Sequence, residues 1–402
     1  MGEQIGLSEK ILNILLTLRD QSVEEIANYD IKDEWDTVGT ARCKAQHRGI
    51  HIPRDSSDPW TQKCCHYINC LDGDCDVALR SVVIYWLAFL KNFGKADGWR
   101  IERQENAFEK YQLRKHGEEM LLRGDTMNSY ATPVVGTIYE KDGLLRCFLI
   151  KDHKKEMKYD GILTLKEYFV GKYQQFSANT GDKIVWSAYI LDDYATFIER
   201  FEKTIENKIP KEAVYEYIRV NDTLGNFIPV PKSFNAPRYN STKDFWDLTL
   251  HGIYNFFNEK GDLSDIISET KSKEEGEEDN CNEGAIVHCQ EWLKNLFGEP
   301  GKDNGSWDNF VKQNYMQDFV NQEDIHYGKP KELWMGHFED SIILGDVERC
   351  AQYTEFFTNA SALIHTRSVR IALAVKNVLD GKSHKDLVEL AQKMSKPLCR
   401  GR

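Results

Sequence analysis

The stretch at residues 224–237, LGNFIPVPKSFNAP, limits the fold more than any other part of the chain. It holds Gly225, Pro229, Pro231 and Pro237, with Asn226 and Asn235 between them. Proline fixes φ and has no N–H to donate, so the stretch can be neither a helix nor an inner strand of a sheet. It predicts an ordered, rigid loop with short extended pieces. Phe227, Ile228, Val230 and Phe234 would pin that loop to a core.

A helix is expected to follow. Ser241 and Asp244 have the spacing of a capping box. Trp246, Leu250, Ile253, Tyr254 and Phe257 then recur on one face at helical intervals. The opposite face carries Asp244, Asp247, His251 and Asn255. Two readings of that face stay open. Asp247 and His251, one turn apart, could share a metal ion, or the carboxylate could orient a general-base imidazole. Alternatively the face is the solvated side of an amphipathic helix, with Asp244 consumed by the cap.

Residues 224–235 resemble the later half of the HNH-type nuclease module found in GmrSD-like modification-dependent restriction enzymes. The resemblance implies that Asn226 matches the central asparagine of that module. The Asp-His element that the family carries upstream has no counterpart nearer than Asp152-His153. The segments GDTMNS, TLGNFIPVP, DFWDLTL and GSWDNFV also look like those of a bacterial family without an assigned activity.

At 402 residues the chain is longer than one core usually serves, and two or three domains are expected. The boundaries read as a helical domain at 1–122, a central domain at 123–268, a linker at 269–280 and a helical region at 281–402. The linker, ETKSKEEGEEDN, is acidic and free of apolar residues. A net charge of −12 argues against a protein that coats nucleic acid through its overall field. The amino terminus shows no apolar signal region, and the longest apolar run, 82–90, is about half a membrane span. The expectation is a cytoplasmic protein with no membrane contact, whose ten cysteines are mostly reduced thiols.

Periodicity predicts helices over 7–19, 76–93, 102–122, 192–209, 285–297, 350–379 and 384–394, and a further one capped by Ser306. Asp125 or Thr126 reads as the N-cap of another helix. Residues 134–150 read as a β-hairpin around Asp142-Gly143. The fold class is therefore mainly α with a minor β part: helical, bundle-like domains, a small hairpin and a proline-rich ordered loop in the middle.

Two functions remain open. In the first the chain is a metal-dependent nucleic-acid hydrolase linked to phage defence. Asp244, Asp247 and His251 would hold a divalent metal ion, Asn226 would orient them, and Arg367 and Arg370 would meet phosphate. In the second it is a non-catalytic helical module whose aromatic loop docks a partner protein. Outside both lies the cluster Cys43, His47, His51, Cys64, Cys65, His66, Cys70 and Cys75. Its spacings are wide for zinc knuckles, so thiols under a loop are expected rather than structural zinc. Structural zinc contributes folding free energy directly. A chelator should therefore leave the thermal midpoint unchanged, and a large drop on chelation would establish a zinc site.

Overall fold

The computed structural model describes residues 6–29, 31, 78–104, 111–116, 120–126, 137–141, 144–150, 157–159, 183–187, 216, 219–220, 223–231, 234, 246–267, 284–301, 305–332 and 347–395. The cysteine cluster, the helix expected over 192–209, the capping pair Ser241–Asp244 and the acidic stretch lie outside them. What is described is mostly helical, with small sheets.

Helix α1 (Leu7–Asp20) buries Ile11, Leu15 and Leu18 on one stripe. Helix α2 (Val23–Ala27) starts with a capping box in which Ser22 and Glu25 satisfy each other's backbone N–H groups. The all-apolar run becomes α3 (Leu79–Tyr85), continued without a break by a π-helix over Trp86–Lys91. Trp86 to Leu90 are all buried, as a helix that is apolar all round must be.

Three antiparallel strands follow: β1 (Trp99–Arg103), β2 (Tyr111–Lys115) and β3 (Leu121–Thr126). They replace the helix expected over 102–122 and the cap expected at Asp125 or Thr126. Polar residues of this stretch are paired across strands. Glu102 Oε1 accepts from Arg114 Nε at 2.6 Å and from Gln112 Nε2 at 2.9 Å. Trp99 and Ile101, and likewise Tyr111 and Leu113, alternate into the core at the strand period.

A second four-stranded antiparallel sheet is built on the expected hairpin. Strands β4 (Thr137–Lys141) and β5 (Leu144–Ile150) pair directly, flanked by β6 (Met157–Tyr159) on β5 and β7 (Lys183–Ser187) on β4.

The proline stretch enters as a single 3-10 turn (Leu224–Asn226) and then β8 (Phe227–Pro231). Among the described residues strand β8 pairs only with β3, at the edge of the order β1-β2-β3-β8. An edge is where two prolines can sit without breaking a ladder. Pairing of β3 with β8 also ties residues 121–126 to 227–231, so the boundary expected at 122/123 falls inside a strand.

The remaining elements are α4 (Trp246–Phe257), α5 (Ala285–Phe297), α6 (Gly305–Gln313), β9 (Val320–Glu323), β10 (His326–Pro330), α7 (Val347–Leu379) and α8 (His384–Ser395). Strands β9 and β10 form a separate hairpin. Helix α8 carries the expected box, with Asp386 accepting from Ser383 N at 2.8 Å. The 33 residues of α7 form the pillar of the described structure. It packs on α1, α2, the π-helix and the 224–226 turn. One contiguous apolar core runs from Ile11 to Met394. Among the described residues no helix is long and apolar enough to cross a membrane.

The turn at 224–226 lies so close to α7 that a side chain cannot fit between them. A Cβ on Gly225 would stand 1.9 Å from the Ile364 carbonyl oxygen and 2.5 Å from Ser368 Oγ. Gly225→Ala should cost about 3 kcal/mol, since backbone cannot yield as a flexible side chain can. Gly305→Ala, where nothing lies within 4 Å, should be close to neutral. Urea unfolding of the two variants checks this contrast.

Candidate functional site

Two polar constellations stand out, and the first is centred on Arg367. This residue is 0 % exposed, in the middle of α7. Its Nε donates to the Asn314 carbonyl at 2.8 Å. Its Nη1 donates to the carbonyls of Gly225 and Phe227, each at 2.7 Å, with Leu224 O more distant at 3.4 Å. These carbonyls flank Asn226, so the structure brings together two of the residues singled out in the sequence. The guanidinium carbon lies 5.6 Å from the centre of the Phe89 ring, a cation–π contact. Among the described residues no carboxylate pairs with it. Burial pushes the guanidinium down to about 9, against the opposing pull of Tyr85 and Tyr315, so it keeps its charge at neutral pH.

The neighbouring hydroxyls complete this knot. Thr223 Oγ1 donates to the Val220 carbonyl at 2.7 Å, which leaves Ser368 Oγ to donate to Thr223 Oγ1 at 3.0 Å. The same Ser368 oxygen accepts the Gly225 N–H at 2.8 Å. On the other side, the π-helix ends with carbonyls that lack helical partners. The Ala88 carbonyl accepts the Tyr315 hydroxyl at 2.7 Å, and that of Phe89 accepts Gln313 Nε2 at 2.8 Å. Tyr315 reaches this position through a left-handed φ of 57°. Burial raises its phenol above the ordinary tyrosine range.

The second constellation joins α6 to the β9–β10 hairpin. Asp308, buried in the first turn of α6, accepts the Tyr327 N–H at 2.8 Å and faces His326 Nδ1 at 2.7 Å. A carboxylate only accepts, so Nδ1 carries the proton and Nε2 is left as the basic nitrogen. The His326 side chain is 39 % exposed. Beside Asp308, Trp307 Nε1 donates to the Gly328 carbonyl at 3.0 Å. Chemically, this is a histidine oriented by a buried carboxylate, the arrangement that general bases use.

The other residues expected in a site are placed as follows. Asn226 is fully buried in the 3-10 turn and has polar partners. Asp247 is 2 % exposed, so the polar face of α4 is not simply solvated at its start. Its Oδ1 accepts the Leu248 N–H at 3.0 Å. His251 is half-buried, and its Nε2 has no hydrogen-bond partner among the described residues. Asp244 lies outside the described residues. Among those described, no group of three or more His, Cys, Asp or Glu is arranged to hold a metal ion. Arg370 is engaged by Asp318, at 2.9 and 3.2 Å. Arg367, expected beside it on a basic surface, is inside the protein, where a nucleic-acid backbone cannot reach it.

Sequence reasoning did not find Ser368, Tyr315, Asp308 or His326 as site residues. Asp308 lies in the GSWDNFV segment, which stood out only as a motif. The chain matches no known protein family, no curated protein and no solved structure.

Arg367→Met keeps most of the side-chain length but leaves three buried carbonyls without donors. It should cost about 4 kcal/mol, the sum of several unmade buried hydrogen bonds. Arg370→Met breaks a part-exposed pair and should cost about 0.5 kcal/mol. Equal denaturation midpoints for the two variants would show that the knot does not hold the fold.

Proposed function

We propose that the chain is a non-catalytic interaction protein that docks a partner protein through its β9–β10 hairpin. One observation carries this reading. Ile325, at the hairpin tip, is 82 % exposed. Tips of two-residue hairpins favour Gly, Asn and Asp, and Ile325 departs from that preference. Strand β10 is tied down at Tyr327 and Gly328 by Asp308 and Trp307, so the tip is presented at little ordering cost on binding. The aromatic loop expected to dock a partner is not available for this: Phe227 and Phe234 are buried. Glu323 and Asp324 immediately precede Ile325, in a chain of net charge −12. The fitting partner therefore presents an apolar pocket with a basic rim.

A second reading, hydrolysis of nucleic acid as the HNH resemblance implies, is favoured by the Asp308–His326 pair. In that reading Nε2 of His326 takes a proton from water. Asp244, Asp247 and His251 remain the residues proposed to hold a divalent metal.

The two readings separate on two variants. A partner isolated with the wild-type chain should bind the purified Ile325→Asp variant at least tenfold more weakly, the loss expected of an anchor residue. Wild-type binding should also weaken as salt is raised. Neither Mg²⁺, Mn²⁺ nor Zn²⁺ should support cleavage of DNA or RNA. Metal-dependent cleavage that disappears in His326→Ala or His251→Ala, with the variants folded, would replace the interaction reading by the hydrolase.

A further inference from the structure

The two strands of the β9–β10 hairpin treat their backbone groups differently. Those of β10 are taken up by α6: Asp308 accepts the Tyr327 N–H at 2.8 Å, and Trp307 Nε1 donates to the Gly328 carbonyl at 3.0 Å. Tyr327 stands opposite Gln322. Residues facing each other in an antiparallel ladder exchange both hydrogen bonds or neither, in alternation. The Tyr327 N–H goes to Asp308, so this pair exchanges neither, and the N–H and C=O of Gln322 point away from β10. Val320, two residues earlier, points its groups the same way at the strand period, opposite Pro330, which has no N–H to exchange. Among the described residues β9 pairs with β10 alone, and Asn321, Gln322 and Glu323 are exposed. Free edges are usually blunted by proline, lysine or a covering element. The edge at β8 carries Pro229 and Pro231, whereas β9 has neither proline nor lysine. Its one charge, Glu323, lies across the hairpin against Gly328.

We propose that the outer edge of β9 receives an extended, basic segment of the partner protein as a third strand of the hairpin sheet. This inference rests on the reading of the hairpin as a docking element. Strand addition supplies main-chain hydrogen bonds for affinity, and side chains beside the edge select the partner. Here Ile325, two residues beyond β9, is the apolar anchor. Asp324 beside it and the net charge of −12 favour lysine or arginine in the incoming segment.

The test uses the full chain and a synthetic peptide of about eight residues, alternating lysine and valine and blocked at both ends. Its control is the same peptide N-methylated along the backbone. The two share charge and side chains, but only the first can donate to a strand edge. The wild-type chain should bind the first peptide and bind the N-methylated one about tenfold more weakly, or not at all. A carbon-13 carbonyl label in the first peptide should take the amide I position of a β-strand on binding. Gln322→Pro removes an N–H that the hairpin does not use, and should weaken binding of the first peptide about tenfold. If that variant does not fold, the peptide pair still decides. Equal binding of the two peptides, or no binding of either, would overturn the proposal. A partner isolated with the wild-type chain separates this inference from the docking reading. If Ile325→Asp loses that partner while folded Gln322→Pro keeps it in full, docking stands and strand addition falls. If Ile325→Asp binds it undiminished, the docking reading falls, and the peptide pair alone decides for the β9 edge.

Discussion

A positive charge held inside the protein by the chain's own carbonyls is the interaction on which the described structure depends. Moving a guanidinium out of water is costly, and a buried carboxylate is the usual compensation. Here backbone carbonyls supply part of it, at Nε and Nη1. Three elements distant in sequence, the 224–227 turn, the 313–315 corner and the π-helix at 86–91, each contribute a carbonyl or a ring to Arg367 or its neighbours. None could shift without exposing the cation to a worse environment. Specific positions follow from this. Gly225 has no side chain because α7 must come close enough for Arg367 to reach past it. Tyr315 adopts a left-handed backbone because its hydroxyl must close the end of the π-helix.

The helices were largely legible in the sequence. The stripes of α1 and α5, the Ser383–Asp386 box and the glycines at 298 and 381 mark ends that the structure reproduces. These are signals that a helix carries within itself. The sheet was not legible in the same way. Residues 99–126 are rich in Arg, Glu and Lys, and their charges look like helix-surface pairs until Glu102 is seen facing Gln112 and Arg114 on the next strand. The proline stretch was read correctly as unable to be an inner strand, but its place at the edge of that sheet depends on β3, about a hundred residues earlier.

The site was legible only as fragments. Asn226 and Arg367 each drew notice for separate reasons. That one guanidinium straddles the other's turn is a long-range fact that no local pattern encodes. Arg367 also sits among His365 and Arg370, which made it look like a member of a basic surface. Arg367 turns inward, while Arg370, three residues on, pairs with Asp318 outside. His326 lay in a stretch with no periodic signal, and its partner Asp308 looked like an ordinary first-turn carboxylate.

The packing of α1 against α8 sets a timetable for the chain. Helix α1 rests on α8, and Lys376 near the end of α7 donates to the Arg19 and Gln21 carbonyls that finish α1. During synthesis, α1 emerges long before α8. At about 5–20 residues per second, roughly twenty to seventy-five seconds separate α1 from this partner. Throughout that interval the part of α1 that rests on α8 stays uncovered, an opening for chaperone capture or for a wrong contact with a neighbour on the same message.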